Sequence, residues 1–262
     1  MPGVSELPSR VLMTGAAGAI GTCLRDGLRP LVEELVLTDV RAIEPEANER
    51  FVRADLADRD ALVGASEGVD AVIHLGGVST EVPFEQLVGP NLVGNFNVFE
   101  AARLAGVARV VFASSNHATG FYSVERTLTG NEPTRPDSLY GVTKVYGEAV
   151  GRLYVDKFDL EVVCVRIGSF APRPRGLREL ATWLSHADAI RLFVACLSAP
   201  DVGFRIVYGA SANTRLFWDL TSARELGYEP QDDAERYAAE LGGEPHELQG
   251  GAFTARDAGG WT

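Results

Sequence analysis

Short apolar, β-branched runs alternate with stretches of helical spacing along the first two thirds of the chain. Runs at 11–14, 34–38, 51–53, 71–75, 110–113 and 161–167 read as strands. Several are apolar at consecutive positions, as in strands covered on both faces. Helical spacing falls at 20–31, 58–65, 95–105 (with Phe96, Phe99, Ala102 and Leu104) and 140–158, the longest. Alternating strand and helix predicts an α/β fold: a Rossmann-type doubly wound parallel sheet with helices on both faces. The pattern holds to about residue 168, where Pro172, Pro174 and Gly176 interrupt it. A helix near 187–198, a strand at 204–208, a helix near 222–226 and a polar, Gly-rich tail from Glu229 follow. That is too little for a second core. The expected organisation is a dinucleotide-binding domain over 1–170 and a small C-terminal substrate-covering region over 171–262, integral to the same fold.

Composition narrows the function classes. A length of 262 residues with 46% hydrophobic and 23% charged content suits one large globular domain able to bury a core. The net charge of −12 argues against nucleic acid, which needs a basic face. A small anionic substrate is compatible if arginines cluster locally. Cys23, Cys164 and Cys196 are odd in number and widely spaced, as expected of reduced thiols in a cytoplasmic protein. Four scattered histidines give no metal-site spacing, so no metal is expected. Residues 1–9 lack the features of a signal peptide, and no apolar run is long enough to span a membrane.

The first strand runs into Gly15-Ala16-Ala17-Gly18-Ala19-Ile20-Gly21, a G-x-x-G-x-x-G loop opening a helix. Glycines permit the tight turn and let backbone approach a pyrophosphate, which the helix N-terminus then favours. Gly15, Ala17, Gly18, Ala19, Ile20 and Gly21 are the expected contacts. Asp39 ends the second strand, 18 residues after Gly21, where a carboxylate bonds a ribose 2′-OH and repels a 2′-phosphate. This predicts NAD over NADP, with Arg41 two positions on able to weaken the preference. Asp55-Leu56 follow the third strand. Asp55 either meets the adenine or caps the next helix. Leu75-Gly76-Gly77 follow the fourth strand and leave room for a ligand. Asn91 either holds a loop near the cofactor or serves as a cap.

Strand five ends in Ser114-Ser115-Asn116-His117, at the edge where parallel sheets bind ligands. The next helix carries Tyr140 and Lys144, which share one face at i and i+4. A cation there favours the phenolate, lowering tyrosine's pKa toward working pH so that it takes a proton from an alcohol. Ser115 would polarise the reacting oxygen. Together these features resemble the extended short-chain dehydrogenase/reductase superfamily over residues 10–170. That superfamily also contains sugar epimerases and dehydratases, which keep their cofactor through a cycle. A non-catalytic NAD-sensing protein is a further alternative, though such proteins often lack the tyrosine–lysine pair.

Further stretches resemble bacterial uronate dehydrogenases across nearly the whole chain. They are His74-Leu75-Gly76-Gly77-Val78-Ser79, Phe112-Ala113-Ser114-Ser115-Asn116-His117, Arg166-Ile167-Gly168-Ser169, Thr182-Trp183-Leu184-Ser185-His186, Gly209-Ala210-Ser211-Ala212-Asn213 and Trp218-Asp219. The resemblance implies NAD-dependent oxidation of D-galacturonate or D-glucuronate at C1 to the aldarolactone. It also implies a sugar site of Ser79, Ser115, Asn116, His117, Tyr140, Ser169 and Arg178. Arg178 has the fork that matches a uronate carboxylate. His117 is either a sugar contact or a structural histidine, and Arg173 and Arg175 are either local positive charge or solvated loop residues. Relatives commonly associate through helices flanking the sheet, so a homo-oligomer is expected. The short C-terminal region leaves little room for a nucleotide sugar.

Overall fold

The computed structural model describes residues 7–256. Among them are strands β1 (Arg10–Thr14), β2 (Glu34–Asp39), β3 (Glu49–Arg53), β4 (Ala71–His74), β5 (Arg109–Ser115), β6 (Glu161–Ile167), β7 (Ser169–Phe170), β8 (Trp183–Leu184) and β9 (Phe204–Gly209). The helices are α1 (Ala19–Leu28), α2 (Arg59–Ser66), α3 (Phe84–Leu87), α4 (Gly94–Leu104), α5 (Leu139–Phe158), α6 (Glu179–Thr182), α7 (His186–Ser198) and α8 (Thr221–Glu225). The main sheet is parallel throughout, in the order β3-β2-β1-β4-β5-β6-β9. The order reverses between β1 and β4, which opens a crevice beyond their carboxyl ends. The predicted doubly wound α/β fold is what is found.

Alternation along each strand splits the core in two. Val11, Met13, Leu35, Leu37, Ile73, Val111, Val163 and Val165 face one side and pack with Leu24, Leu28, Leu192 and Phe193 of α1 and α7. Leu12, Val36, Val72, Val110, Phe112, Val162 and Cys164 face the other, under Leu62, Val98, Phe99 and Tyr154 of α2, α4 and α5. This double burial explains the consecutive apolar positions in the sequence. The chain beyond 171 returns to the sheet through β9, in register with β6 from Val162↔Phe204 to Ile167↔Gly209. It also forms a small cluster of its own around Leu180, Trp183 and Ala234.

Two local features go beyond the sequence pattern. The helix expected from 95 is preceded by α3 and by a stretch of wider winding, Val88–Val93. Pro90 lies within that stretch; it has no N–H to give to an ordinary α-helical ladder, and the wider turn accommodates the gap. Helix α2 is capped by Asp58, whose Oδ1 accepts from the Ala61 N–H at 3.0 Å. Asp55 is therefore not the helix cap. Its Oδ1 closes a tight turn on the Ala57 N–H at 2.9 Å.

Helix α5 sits unusually close to the sheet. A Cβ on Gly147 would fall 2.3 Å from the Phe112 ring, and one on Gly151 would fall 2.9 Å from Val162. A buried ion pair locks this contact. Arg166 of β6 donates twice to Glu148 of α5, both at 2.9 Å, and the Ser114 hydroxyl donates to the same carboxylate at 2.6 Å. Burial alone would lower the Arg166 pKa, but the bond to Glu148 wins and raises it. Removing one partner leaves a full charge buried and unpaired. Glu148→Ala should therefore lower the unfolding free energy by about 3–5 kcal/mol in chemical denaturation. A loss below about 1 kcal/mol, the scale of an exposed pair, would show that the pair does not hold α5.

Candidate active site

The crevice is a cleft of about 700 Å³ running from the glycine loop to Tyr140. Gly15 turns at φ +67, and a Cβ on it would lie 2.7 Å from the Gly76 N. The two glycine segments thus touch backbone to backbone at the cleft floor. Helix α1 begins at Gly18 with no side-chain cap and no acidic residue in its first turn. Its free N–H groups suit an anion such as a dinucleotide's pyrophosphate. Asp39 stands beside them, with Oδ2 accepting from the Ala17 N–H and Oδ1 from the Arg41 N–H, both at 3.0 Å. The carboxylate is held at the β2 terminus, where a ribose diol would meet it. The residues present fit the expected cofactor.

At the other end Ser115 closes β5 and Tyr140 opens α5. Ser138 caps that helix through the Gly141 N–H at 2.9 Å. The Glu81 carboxylate reaches from the loop after β4 to accept from the Leu139 and Tyr140 N–H groups at 3.0 and 2.8 Å. The Tyr140 and Ser115 side chains both line this end of the cleft, and Ser115 acts to lower the Tyr140 pKa. Lys144 donates to the Ala113 carbonyl at 2.8 Å and lies 5.5 Å from the Tyr140 ring centre.

The protein alone does not deliver the lowered phenol pKa expected from the tyrosine–lysine spacing. Burial pushes Tyr140 up to about 12, with Ser115 pulling down and Asp137 pushing up. Burial also brings the Lys144 ammonium down to about 8, against the pull of Glu148. Each group resists carrying a lone charge in a dry site. His74 behaves likewise: burial drives it down to about 3, with Lys144 adding to the effect. It stays neutral between Thr14 and Asn95, at 2.8 and 2.9 Å, while Thr14 Oγ1 accepts from the Gly76 N–H at 3.2 Å.

Most sequence-identified residues meet on one cleft. Gly15, Gly18, Ala19, Ile20, Gly21, Asp39, Asp55, Leu56, Leu75, Gly76 and Gly77 line it toward the glycine loop. Ser79, Ser115, Asn116, His117, Tyr140 and Lys144 line it toward the sugar side. Four others stand off the wall. Ala17 gives its N–H to Asp39. Asn91 clasps Val78 through both backbone groups, at 2.8 and 2.9 Å, and donates to Thr143 at 3.0 Å, so it is a loop clamp. Arg178 donates to Asn116 at 2.7 Å and to Ser169 at 3.3 Å, which ties two expected sugar residues off the wall to the cleft-lining Asn116. Its Nε donates to the Gln249 carbonyl at 2.7 Å. Burial lowers the Arg178 pKa, and Asp137 opposes that. Of its five N–H donors, three are named here and two remain for a ligand.

Sequence reasoning missed Asp137, Glu81 and the C-terminal strap. Gln249 accepts from Trp218 at 2.9 Å and donates to the Ser123 and Arg126 carbonyls at 2.9 and 2.8 Å. That anchor lays Phe253 on the His117 ring, centres 3.9 Å apart. The one local signal was Asp137-Ser138 just before Tyr140, which reads as a helix cap. Arg173 and Arg175 pair with Glu240 and Glu179, both at 2.7 Å. Among the described residues no group of side chains could hold a metal ion, and no helix is long and apolar enough to cross a membrane.

Comparison with known proteins agrees with this geometry. The family model for the NAD dependent epimerase/dehydratase family matches residues 11–204. The chain is 46% identical to a uronate dehydrogenase of Pseudomonas putida over 255 residues, 94% of this chain and 95% of that one. The crystal structure of glucuronic acid dehydrogenase from Chromohalobacter salexigens matches with a TM-score of 0.92 at 42% identity, over 96% of this chain and 98% of that one. A mutant uronate dehydrogenase of Agrobacterium tumefaciens complexed with NAD matches with a TM-score of 0.90 at 43% identity, over 94% and 97%.

Asp39→Ser removes a charged acceptor and its repulsion of a 2′-phosphate. Fluorescence titration should show NAD affinity about tenfold weaker and NADP affinity stronger. An unchanged ratio would remove Asp39 from cofactor choice.

Proposed function

This chain belongs to the NAD dependent epimerase/dehydratase family and, within it, to the uronate dehydrogenases, and from that premise we propose that it oxidises a free uronic acid at C1, giving the aldarolactone and NADH. D-Glucuronate and D-galacturonate are the substrates. The observation that carries the reading is that Ser115, Tyr140 and Lys144 line one cleft with the glycine loop and Asp39. Of the expected 1–170 and 171–262 segments, residues 7–170 hold the cofactor and residues 171–256 cover the substrate; 1–6 and 257–262 lie outside the described residues.

The division of labour follows from what each side chain can give. Ser115 holds the anomeric oxygen, and Tyr140 takes its proton. Lys144, anchored on the Ala113 carbonyl, supplies the cation that makes a buried phenolate tolerable. Bound NAD supplies the hydride acceptor and a positive charge that also favours the phenolate. The product is a lactone because C1 is already bonded to the ring oxygen. The two remaining N–H groups of Arg178 bind the uronate carboxylate. Ser79, Asn116, His117 and Ser169 complete the sugar site.

We also expect a homo-oligomer. Phe96 and Leu104 of α4 and Val142 and Leu153 of α5 are exposed on two helices joined by the Tyr154–Glu100 bond. The three free cysteines fit a reducing cytoplasm.

Purified protein with NAD should form NADH with D-glucuronate or D-galacturonate and far less with D-glucose or UDP-glucose. Absence of NADH with both uronates would refute the reading, and cofactor retention without net NADH would favour an epimerase. Tyr140→Phe should cut kcat by about 10² to 10⁴ and leave NAD binding intact. Arg178→Ala should raise KM for uronates about 10- to 100-fold with little change for glucose, and equal effects on both sugars would exclude carboxylate recognition.

A further inference from the structure

His117 is held on three sides. Its Nδ1 lies 2.8 Å from Asp137 Oδ2, its ring stacks on Phe253, and its edge meets the Tyr140 ring at 5.9 Å. The Asp137 side chain is fully buried. Its Oδ1 accepts from the Ser138 hydroxyl at 2.9 Å, and its backbone N–H donates to the His117 carbonyl at 3.2 Å. Two glycines wall it in: a Cβ on Gly120 or Gly250 would fall 1.7 or 1.9 Å from Oδ2. Gly250 belongs to the C-terminal strap, so the segment that lays Phe253 on the ring also closes the carboxylate's pocket.

A carboxylate only accepts hydrogen bonds, so the hydrogen between Asp137 and His117 belongs to the imidazole Nδ1. In a neutral ring Nε2 then carries a lone pair. Nε2 has no partner among the described residues, and His117 lines the cleft beside Ser115 and Tyr140. The Ser115 and Tyr140 hydroxyls line the same part of the cleft. The Asn116 amide is oriented by one bond at each end, Nδ2 donating to the Ile167 carbonyl at 2.9 Å and Oδ1 accepting from Arg178 at 2.7 Å. A sugar hydroxyl has a hydrogen to give to a lone pair, whereas a carboxylate has none.

We propose that Asp137 is a positioning residue that fixes His117 as its Nδ1–H tautomer, so that Nε2 accepts a hydrogen bond from a substrate hydroxyl while the carboxylate is left to Arg178. The hydroxyl half of this statement rests on the uronate reading above; the tautomer half does not. A wrong tautomer is costly at constant geometry, because it turns an acceptor into a donor and leaves two donors opposed.

The direct test is the imidazole nitrogen resonance pattern of His117 by ¹⁵N NMR, assigned by its loss in His117→Gln. The wild type alone should show a neutral ring protonated at Nδ1. Asp137→Asn or Asp137→Ala should lose that signature. In the same variants KM for D-glucuronate should rise about 10- to 100-fold, with a smaller change in kcat and unchanged NAD affinity. A wild-type ring protonated at Nε2, or doubly protonated at neutral pH, overturns the assignment. So does an Nδ1–H pattern that survives loss of the carboxylate. If the tautomer changes in the variants but KM does not, recognition of a hydroxyl by Nε2 is overturned. If the wild type shows the Nδ1–H ring but no turnover of either uronate, the substrate reading fails and the tautomer assignment stands. The wild-type spectrum decides the tautomer even if neither Asp137 variant folds.

Discussion

Glu148 and Arg166 are almost wholly removed from water, and such charges are tolerated there only as a pair. Their bidentate contact joins α5 to β6, and Ser114 brings β5 into the same contact. Ser115 is the next residue on that strand, and Lys144 lies one turn before Glu148 on that helix. The pair therefore sets the distance between Ser115 and Tyr140, the groups proposed to hold the substrate oxygen and to take its proton. Gly147 and Gly151 make the distance short enough, because any side chain there would strike Phe112 or Val162. Stability and chemistry share these contacts, so this protein cannot loosen its core without misplacing Tyr140.

The price of that close packing is electrostatic. A dry site pushes the phenol up and the ammonium down, so each favours its neutral form. A cation arriving in the cleft would tip the balance toward the phenolate. His74 carries no charge in this setting. Its role is to link Thr14, and through it Gly76, to Asn95, which keeps the glycine floor of the cleft in place.

What the sequence shows plainly is what a short segment decides by itself. The strands, the glycine loop, Asp39 and the 140–144 spacing each carry their meaning within a few residues. The parts that sequence reasoning missed depend on chain far away. Asp137 looks like a capping residue until His117 and Gly250 are placed around it. Glu81 is an ordinary loop acid until α5 presents two N–H groups to it. Gln249 lies in a polar, glycine-rich tail, and only Trp218 and the carbonyls of Ser123 and Arg126 make it an anchor. Asn91 was legible as a clamp or a cap, and the structure makes it a clamp on Val78. The phenol is a like case: the i, i+4 spacing is visible in sequence, whereas the burial that raises its pKa in the cofactor-free protein is not.

The central claim is that a buried phenolate forms because Lys144 is beside it. The pH dependence of kcat with saturating NAD and D-glucuronate, in wild type and Lys144→Met, tests this most directly. Turnover needs the phenolate, so kcat should rise as pH passes the Tyr140 pKa in the working complex. Removing the cation raises that pKa, and the rise should move to higher pH by about one unit or more. Coincident profiles would contradict the account.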